Sequence, residues 1–182
     1  MNINIFITGG TGYIGNRIIP VLIKNGFNVT ALARKNSLNK LPHGCKAVEG
    51  DALDENTFKE YVKENDTFIQ LVGVSHPSPA KKEEFIKIDL VSIEASVKAA
   101  KSTGVKHFVY LSVAQPAPMM KEYIEVRKHG EQLLTMNEIP SSIIRPWYII
   151  GPGHYWPLVL KPVYKIFEWI PATREQAINL GL

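Results

Sequence analysis

Three glycines near the N-terminus have the spacing of a phosphate-binding turn. Gly9, Gly12 and Gly15 form a GxxGxxG pattern in "ITGGTGYIG", directly after a short apolar run. Where a buried strand turns into a helix, backbone N–H groups and the helix dipole converge, and glycines let phosphate come close to the backbone. We interpret the stretch as a pyrophosphate-binding turn. The alternative is a tight turn without a ligand.

A cation stands where the second strand-like run ends. Arg34 closes "NVTALAR", nineteen residues after Gly15, and Lys35 follows it. In dinucleotide-binding folds an acid at this position bonds the adenosine ribose hydroxyls, whereas an arginine accommodates a 2′-phosphate. The sequence therefore favours NADP(H) over NAD(H). The alternative is an arginine that is merely exposed at a strand end.

The rest of the chain alternates strand-like and helix-like segments. Strands are predicted in "INIFIT", "NVTALAR", "CKAVEGD", "DTFIQLVG", "KHFVYLSV" and "SSIIRP". Helices are predicted over residues 13–25 and in "DENTFKEYVKEN", "EEFIKIDLVSIEASVKAAKSTG" and "MKEYIEVRKHGEQLLTMN". This pattern is typical of an α/β, Rossmann-like, doubly wound parallel sheet with helices on both faces. We expect one domain over residues 1–182, in which residues 146–182 form a short and incomplete C-terminal cap.

Composition narrows the class of protein. The 182 residues carry a net charge of +4 with scattered lysines and contain one cysteine. A single cysteine rules out an intramolecular disulfide and a cysteine-based metal cluster, and no basic stripe argues for nucleic acid. No apolar run approaches the ~20 residues that cross a bilayer. With one cysteine and no cluster of ligands, we expect no metal. The N-terminus lacks the features of a signal peptide, so we expect a cytoplasmic protein.

Four short motifs carry a family resemblance. "TGGTGYIG", "ALAR", "GD" and "YLSV" together resemble the atypical short-chain dehydrogenase/reductase superfamily. Within it, the chain is similar to NmrA-like proteins, NADH-flavin-reductase-like proteins and nucleoside-diphosphate-sugar-epimerase-like proteins, over almost its whole length. The resemblance implies that the pyrophosphate is lined by Gly9, Gly10, Thr11, Gly12, Tyr13, Ile14 and Gly15.

The resemblance implies further cofactor contacts beyond the first turn. Arg34 would meet the 2′-phosphate. The adenine would contact Asp51 and either Ala52 or Leu53, the adenine ribose would pass Leu71, Val72 and Gly73, and the nicotinamide would lie near the backbone beyond Pro146. The alternative for Asp51 is a loop acid or helix cap. The alternative for Gly73 is a glycine that simply ends a strand.

The resemblance also implies a catalytic serine, a tyrosine and a lysine four residues after the tyrosine. Ser112 and Tyr123 match the first two, whereas Arg127 stands at the lysine position. Tyr123 and Arg127 share a helix face. An arginine can lower the pKa of a tyrosine by its charge but stays protonated. The alternative is a surface ion pair between Arg127 and Glu131, four residues further on.

These residues lead to one expected function and two alternatives. We expect an NADP(H)-binding oxidoreductase that transfers hydride to a small, unidentified acceptor. The first alternative is a non-catalytic NADP(H)-sensing regulatory or scaffold protein, and the least favoured is a sugar-nucleotide epimerase. Relatives with a substrate lobe carry more chain after the sixth strand. We therefore expect a truncated chain, a site completed by another subunit such as a homo-oligomer partner, or an open site.

Overall fold

A computed structural model describes residues 3–63, 67–75, 77–114, 121–147 and 149–155. The chain divides into two compact units, Met1–Arg145 and Pro146–Leu182. In the described part of the second unit, Gly151 and His154 form an antiparallel bridge. The remainder of the predicted cap, residues 156–182, lies outside the described residues. No helix in the described ranges is long and apolar enough to cross a membrane.

The first unit is built on one parallel sheet of six strands, which confirms the predicted fold class. The strand order is β3-β2-β1-β4-β5-β6. All six predicted strands are present, as β1 (Asn4–Thr8), β2 (Asn28–Ala33), β3 (Lys46–Glu49), β4 (Thr67–Gln70), β5 (His107–Leu111) and β6 (Ser141–Ile144). The order reverses between β1 and β4. In doubly wound sheets, ligands bind beyond the carboxyl ends of the strands at this reversal.

Helices connect the strands. They comprise α1 (Gly15–Lys24), α2 (Lys82–Glu84), a π-helical segment (Phe85–Leu90), α3 (Val91–Thr103), α4 (Lys121–Met136) and four 3₁₀ turns at Lys35–Lys40, Glu55–Thr57, Lys59–Tyr61 and Pro79–Lys81. The third predicted helix is therefore α2, the π-helical segment and α3 in succession. A π-helical turn contains one residue more than an α-helical turn, so it shifts the residues that face the sheet.

Both faces of the sheet are buried at its central strands β1, β2 and β4, which explains why these strands read as mainly apolar runs, whereas the edge strands β3 and β6 are mostly exposed. Phe6 lies in an aromatic core with Phe68 and Phe108, whereas its neighbours Ile5 and Ile7 point into an aliphatic core. The rings of Phe68 and Phe108 stack at 4.9 Å between centroids. The aliphatic core lies against α1 through Ile19, Ile18 and Leu22. These cores hold the carboxyl ends of the strands in fixed positions.

The helix predicted in "DENTFKEYVKEN" is wrong for the described residues. The chain forms two 3₁₀ turns there, Glu55–Thr57 and Lys59–Tyr61. Thr57 Oγ1 shares its one proton between the backbone oxygens of Asp54, at 2.8 Å, and Asp51, at 3.0 Å, and accepts from Asp51 N. Such side-chain bonds to the backbone compete with the helical ladder. Asp54 caps the first turn by accepting from Asn56 N.

Candidate dinucleotide-binding and reaction site

The glycine turn is packed tightly against the end of β4. Gly9 has φ of +79°, in the left-handed region that favours glycine. A Cβ at this position would lie 2.7 Å from Leu71 C and 2.8 Å from Val72 N. The turn can therefore pass β4 only with a glycine here. The structure thus brings together Gly9, Leu71 and Val72, which the sequence assigned to one ligand.

Of the other two glycines of the motif, Gly15 is closely packed and Gly12 is open. A Cβ on Gly15 would lie 2.5 Å from Gly10 Cα, so the start of α1 touches the loop before it. A Cβ on Gly12 would meet only the carbonyl oxygen of the first glycine, at 3.2 Å, and Gly12 is exposed. Asn16 Nδ2 donates to Thr11 O at 2.7 Å and braces the loop. The surface above Gly12 is open, which is the shape that an approaching phosphate needs.

The start of α1 offers positive potential. No side chain caps the helix at Ile14, and its first turn contains no acidic residue. Among the described residues, the N–H groups of Ile14 and Gly15 donate no backbone hydrogen bond. The Arg17 guanidinium lies over the Tyr13 ring at 3.5 Å and donates to Tyr13 O at 2.9 Å. Unpaired amides at a helix N-terminus attract anions, so these residues fit a pyrophosphate.

Arg34 directly follows β2. It is exposed and directly precedes the 3₁₀ turn Lys35–Lys40. A Cβ on Gly10 would lie 3.3 Å from Ala31 Cβ and 3.1 Å from Leu41 Cδ2, so the glycine turn touches β2 and the segment after it. The Arg34 side chain is exposed to solvent. This exposure is compatible both with the phosphate role and with the exposed-arginine alternative.

Asp51 and Ala52 follow β3 and are both half-buried. Asp51 Oδ1 accepts from Leu53 N at 3.0 Å, so this carboxylate caps its own loop. Ala52 packs against the aromatic core. These contacts correspond to the loop-acid alternative for Asp51. A carboxylate has further lone pairs, so the adenine contact stays a prediction.

Ser112 is hydrogen-bonded to Glu131, a residue that the sequence analysis considered only as a partner of Arg127. It follows β5, is 4% exposed, and its Oγ donates to Glu131 Oε1 at 2.5 Å. Arg145 donates to the same carboxylate through Nε at 2.9 Å and Nη2 at 2.6 Å. Burial works to raise the pKa of Glu131, but the bonds from Arg145 and Ser112 outweigh it and lower this pKa. Glu131 is therefore a carboxylate at neutral pH.

Arg127 does not form the expected surface ion pair with Glu131; that alternative is wrong. Arg127 is 4% exposed, and its Nη2 lies 2.5 Å from Asp89 Oδ1. Its Nη1 donates to Leu111 O at 2.8 Å. The other carboxylate oxygen of Asp89 accepts from Val74 N at 2.9 Å. The guanidinium points into the protein because a buried carboxylate and a strand-end carbonyl lie there.

Two residues on α4 face two residues on the π-helical segment. The Tyr123 ring packs on Phe85 at 5.0 Å between centroids, one helical turn before the pair of Arg127 with Asp89. Tyr123 and Arg127 share a face of α4, as predicted, and the Arg127 guanidinium lies 5.2 Å from the Tyr123 ring centroid. Burial opposes the charge on Arg127, yet Tyr123, Tyr110 and Asp89 outweigh it and raise the pKa of Arg127.

The Arg127 guanidinium leaves no room for a side chain at Gly73. A Cβ on Gly73 would overlap Arg127 Nη2 and would lie 3.2 Å from Asp89 Oδ1. Any larger residue would therefore displace the buried ion pair. Gly73 has this internal role whether or not a ribose also passes it.

Tyr110 fills the space beneath α4. Its side chain is fully buried, and a Cβ on Gly130 would lie 2.6 Å from its hydroxyl oxygen. Within the described ranges, this hydroxyl has no hydrogen-bond partner. Burial raises the pKa of Tyr110 to about 12, although the charge of Arg127 works to lower it. Tyr110 is therefore a neutral packing residue at physiological pH.

Three residues that shape the site were missed or misassigned from the sequence. Asp89 was unassigned, Glu131 was paired with Arg127, and Arg145 had no side-chain role. A signal for Asp89 was present, because this acid lies four residues after Phe85 on the apolar face of a predicted helix. A carboxylate on such a face needs a buried partner.

The chain belongs to an NAD(P)H-binding family. A family model with the description NAD(P)H-binding matches residues 9–154. A relative from Dictyostelium discoideum, an NmrA-like family domain-containing protein, is 27% identical over 86% of this chain and 55% of its own length. Together with the sheet order, these matches confirm an atypical short-chain dehydrogenase/reductase type of nucleotide-binding protein.

A further relative and a solved structure are also similar to this chain. The ceramide reductase of Caulobacter vibrioides is 24% identical over 81% of this chain and 46% of its own length. The Bordetella bronchiseptica enzyme WbmH, solved in complex with NAD+, superposes with a TM-score of 0.71 at 20% identity and covers 92% of this chain and 62% of its own. The chain spans about half the length of these curated relatives.

Proposed function

We propose that this chain binds NADP(H) at the glycine turn and acts as an oxidoreductase that transfers hydride between the nicotinamide and a small molecule. The open surface over Gly12 carries the proposal, together with the amides of Ile14 and Gly15, which donate no backbone hydrogen bond within the described ranges. The family match to NAD(P)H binding and the reductase named among the relatives support it. The preference for NADP(H) over NAD(H) rests on Arg34.

Other residues hold the remaining parts of the cofactor in this proposal. Asp51 and Ala52 receive the adenine, Leu71 to Gly73 line the adenine ribose, and Pro146 precedes the backbone that approaches the nicotinamide. The bound cofactor supplies a reversible hydride donor, and the protein supplies orientation and exclusion of water. Asp51 can accept from the adenine amine with lone pairs that Leu53 N leaves unused.

Tyr123 is the residue that we assign to proton transfer. Reduction of an acceptor by hydride also consumes one proton, and a tyrosine hydroxyl can donate it. The Ser112 proton is directed to Glu131, and the buried Arg127 donates to Asp89 and Leu111 inside the protein. Tyr123 is half-buried and packs on Phe85 by its ring. Of the three predicted catalytic side chains, it is the one we expect to reach the acceptor.

A second candidate function is a non-catalytic NADP(H)-binding sensor or scaffold. The observation that favours it is the burial of Arg127 against Asp89, because a guanidinium held there cannot relay a proton as the family lysine does. In this alternative the glycine turn binds the cofactor, and the residues after β5 serve only to hold α4 in place.

The cofactor preference is tested by titrating NADPH and NADH into the unaltered protein and Arg34→Asp. We expect tighter NADPH binding, which Arg34→Asp abolishes while NADH affinity changes little. Lys46→Asp is the matched control, since it makes the same charge change on β3 at its amino end, opposite the site. Equal affinity of the unaltered protein for both cofactors would overturn the preference for NADP(H).

The enzyme and sensor candidates are separated by NADPH consumption with a panel of flavins, quinones and aldehydes. We expect turnover with at least one acceptor, and a large loss of that turnover in Tyr123→Phe. NADPH binding without turnover of any acceptor would favour the sensor. The cytoplasmic location and a homo-oligomeric state remain predictions, which fractionation and native mass measurement test.

A further inference from the structure

We propose that Glu131 fixes the Ser112 hydroxyl as a hydrogen-bond acceptor, so that the ligand group recognised by this serine is a donor, a hydroxyl or N–H group, and not a carbonyl oxygen. The inference rests on the proposed function, which places a small molecule at the carboxyl end of β5. Glu131 is then a positioning residue that selects the chemical class of the ligand.

The position of Ser112 is fixed by the sheet. Ser112 N donates to Ile144 O at 2.8 Å, which extends the pairing of β5 with β6 by one residue. Ser112 therefore stands at the carboxyl end of the sheet, where ligands bind in this architecture. Its hydroxyl lies between that edge and α4, which carries Glu131.

The direction of the hydrogen bond follows from counting protons. A serine hydroxyl has one proton and two lone pairs, whereas an ionised carboxylate has no proton to give. Because Arg145 keeps Glu131 ionised, the Ser112 proton must lie on the line to Glu131 Oε1, at 2.5 Å. A ligand atom that approaches Ser112 Oγ therefore meets lone pairs. A hydroxyl or N–H group can donate to them, while a carbonyl oxygen is repelled.

Glu131 is held against rotation, so the serine cannot easily be released. Arg145 grips the carboxylate with two bonds, at 2.9 Å and 2.6 Å, in the planar geometry that arginine and carboxylates share. Arg127 donates through Nη2 to Asp89 and through Nη1 to Leu111, and its Nε is buried without a hydrogen-bond partner among the described residues. At Ser112 itself, a ligand therefore meets acceptor lone pairs and not a donor.

A matched pair of small ligands tests the inference. The probes are 1-phenylethanol and acetophenone, which have the same skeleton and differ in presenting a hydroxyl or a carbonyl. Their affinities are measured by ligand-observed NMR without added cofactor, so that the alcohol is not oxidised to the ketone during the measurement. We expect the alcohol to bind the unaltered protein about three- to tenfold more tightly, the value of one ordinary hydrogen bond.

Two variants assign the preference to the serine and its partner. Ser112→Ala should bind both probes equally. Glu131→Gln should lose or reverse the preference, because the glutamine N–H₂ can donate to Ser112 and free the serine proton for a carbonyl. Glu125→Gln is the control on the same helix, with an exposed side chain, and should keep the preference. If Glu131→Gln does not fold, Ser112→Ala alone decides the result.

The outcomes separate this inference from the proposed function. Equal binding of the two probes, tighter binding of the ketone, or no binding of either by a protein that binds NADPH overturns the role given to Ser112. The same holds if Ser112→Ala keeps the alcohol preference. Failure of the unaltered protein to bind NADPH instead overturns the proposed function itself.

Discussion

Arg127 Nη2 lies 2.5 Å from Asp89 Oδ1 in a part of the protein where both side chains are almost fully buried. Through Val74 and Leu111, this pair also bonds the segment after β4 and the end of β5. It therefore joins two helical segments to the carboxyl edge of the sheet. Burial of a charge is costly, and in this pair each charge compensates the other. Loss of one partner leaves a buried charge without compensation, so it is more damaging than loss of both.

The ion pair leads to the first prediction. Asp89→Ala leaves the Arg127 guanidinium buried without its carboxylate, and we expect the free energy of unfolding to fall by about 3–5 kcal/mol. The double variant Asp89→Leu with Arg127→Met should recover most of this loss. Urea denaturation measures both.

The control for this prediction is the exposed pair of Lys87 with Glu83, where Lys87→Ala should change the free energy of unfolding by less than about 1 kcal/mol. If Asp89→Ala costs no more than Lys87→Ala, the buried pair does not hold the helices to the sheet.

The second prediction separates ligand binding from folding within the glycine turn. Gly12→Ala adds a methyl group with one close neighbour, so we expect little change in Tm but a loss of NADPH affinity of about tenfold or more, because the methyl group takes the space of the phosphate. Gly15→Ala drives a Cβ to 2.5 Å from Gly10 Cα, so we expect destabilisation by at least about 1–3 kcal/mol. Thermal unfolding and fluorescence titration measure the two effects. Undiminished NADPH affinity in Gly12→Ala would contradict the assigned phosphate position.

The third prediction concerns pH. The folded-state pKa of Glu131 lies below its unfolded value, so this carboxylate contributes stability that is complete above about pH 4.3 and is lost as the pH falls through the folded pKa. We expect Glu131→Gln to lower Tm at neutral pH and the difference from the unaltered protein to shrink in acid. Tm series of both proteins between neutral and acid pH measure the difference, with Glu125→Gln as control. A difference that stays constant over the series would show that charge is not its source.

The fourth prediction concerns Tyr110 at alkaline pH. Burial raises its pKa to about 12, so its contribution is complete below the unfolded value of about 10 and is lost as the pH rises through about 12. Tyr110→Phe should remove this alkaline loss. At neutral pH it should cost little, because the hydroxyl has no partner among the described residues.

Thermal unfolding over an alkaline pH series checks this prediction, with the exposed Tyr61→Phe as control. Equal alkaline loss in Tyr110→Phe and the unaltered protein would contradict it.

The sequence was most informative where local pattern determines structure. Apolar runs between turns located all six strands, and the glycine spacing predicted the tight turn between β1 and α1 because few conformations allow such a turn. The polar network beyond β5 was not foreseeable in this way. Asp89 and Arg127 are 38 residues apart, whereas Glu131 stands one helical turn from Arg127 and was the obvious partner. Only the packing of α4 on the π-helical segment decides between them.

The π-helical segment Phe85–Leu90 has a consequence for how this protein tolerates change in length. Its extra residue sets the rotation between α2 and α3, and one residue of an α-helix corresponds to about 100°. Deletion of one residue here would turn the preceding part of the helix through about that angle, and Phe85 would leave Tyr123. A chain shortened by one residue here would therefore keep the helix but lose the alignment of its two ends. Insertions and deletions are accordingly constrained more strictly in this segment than substitutions.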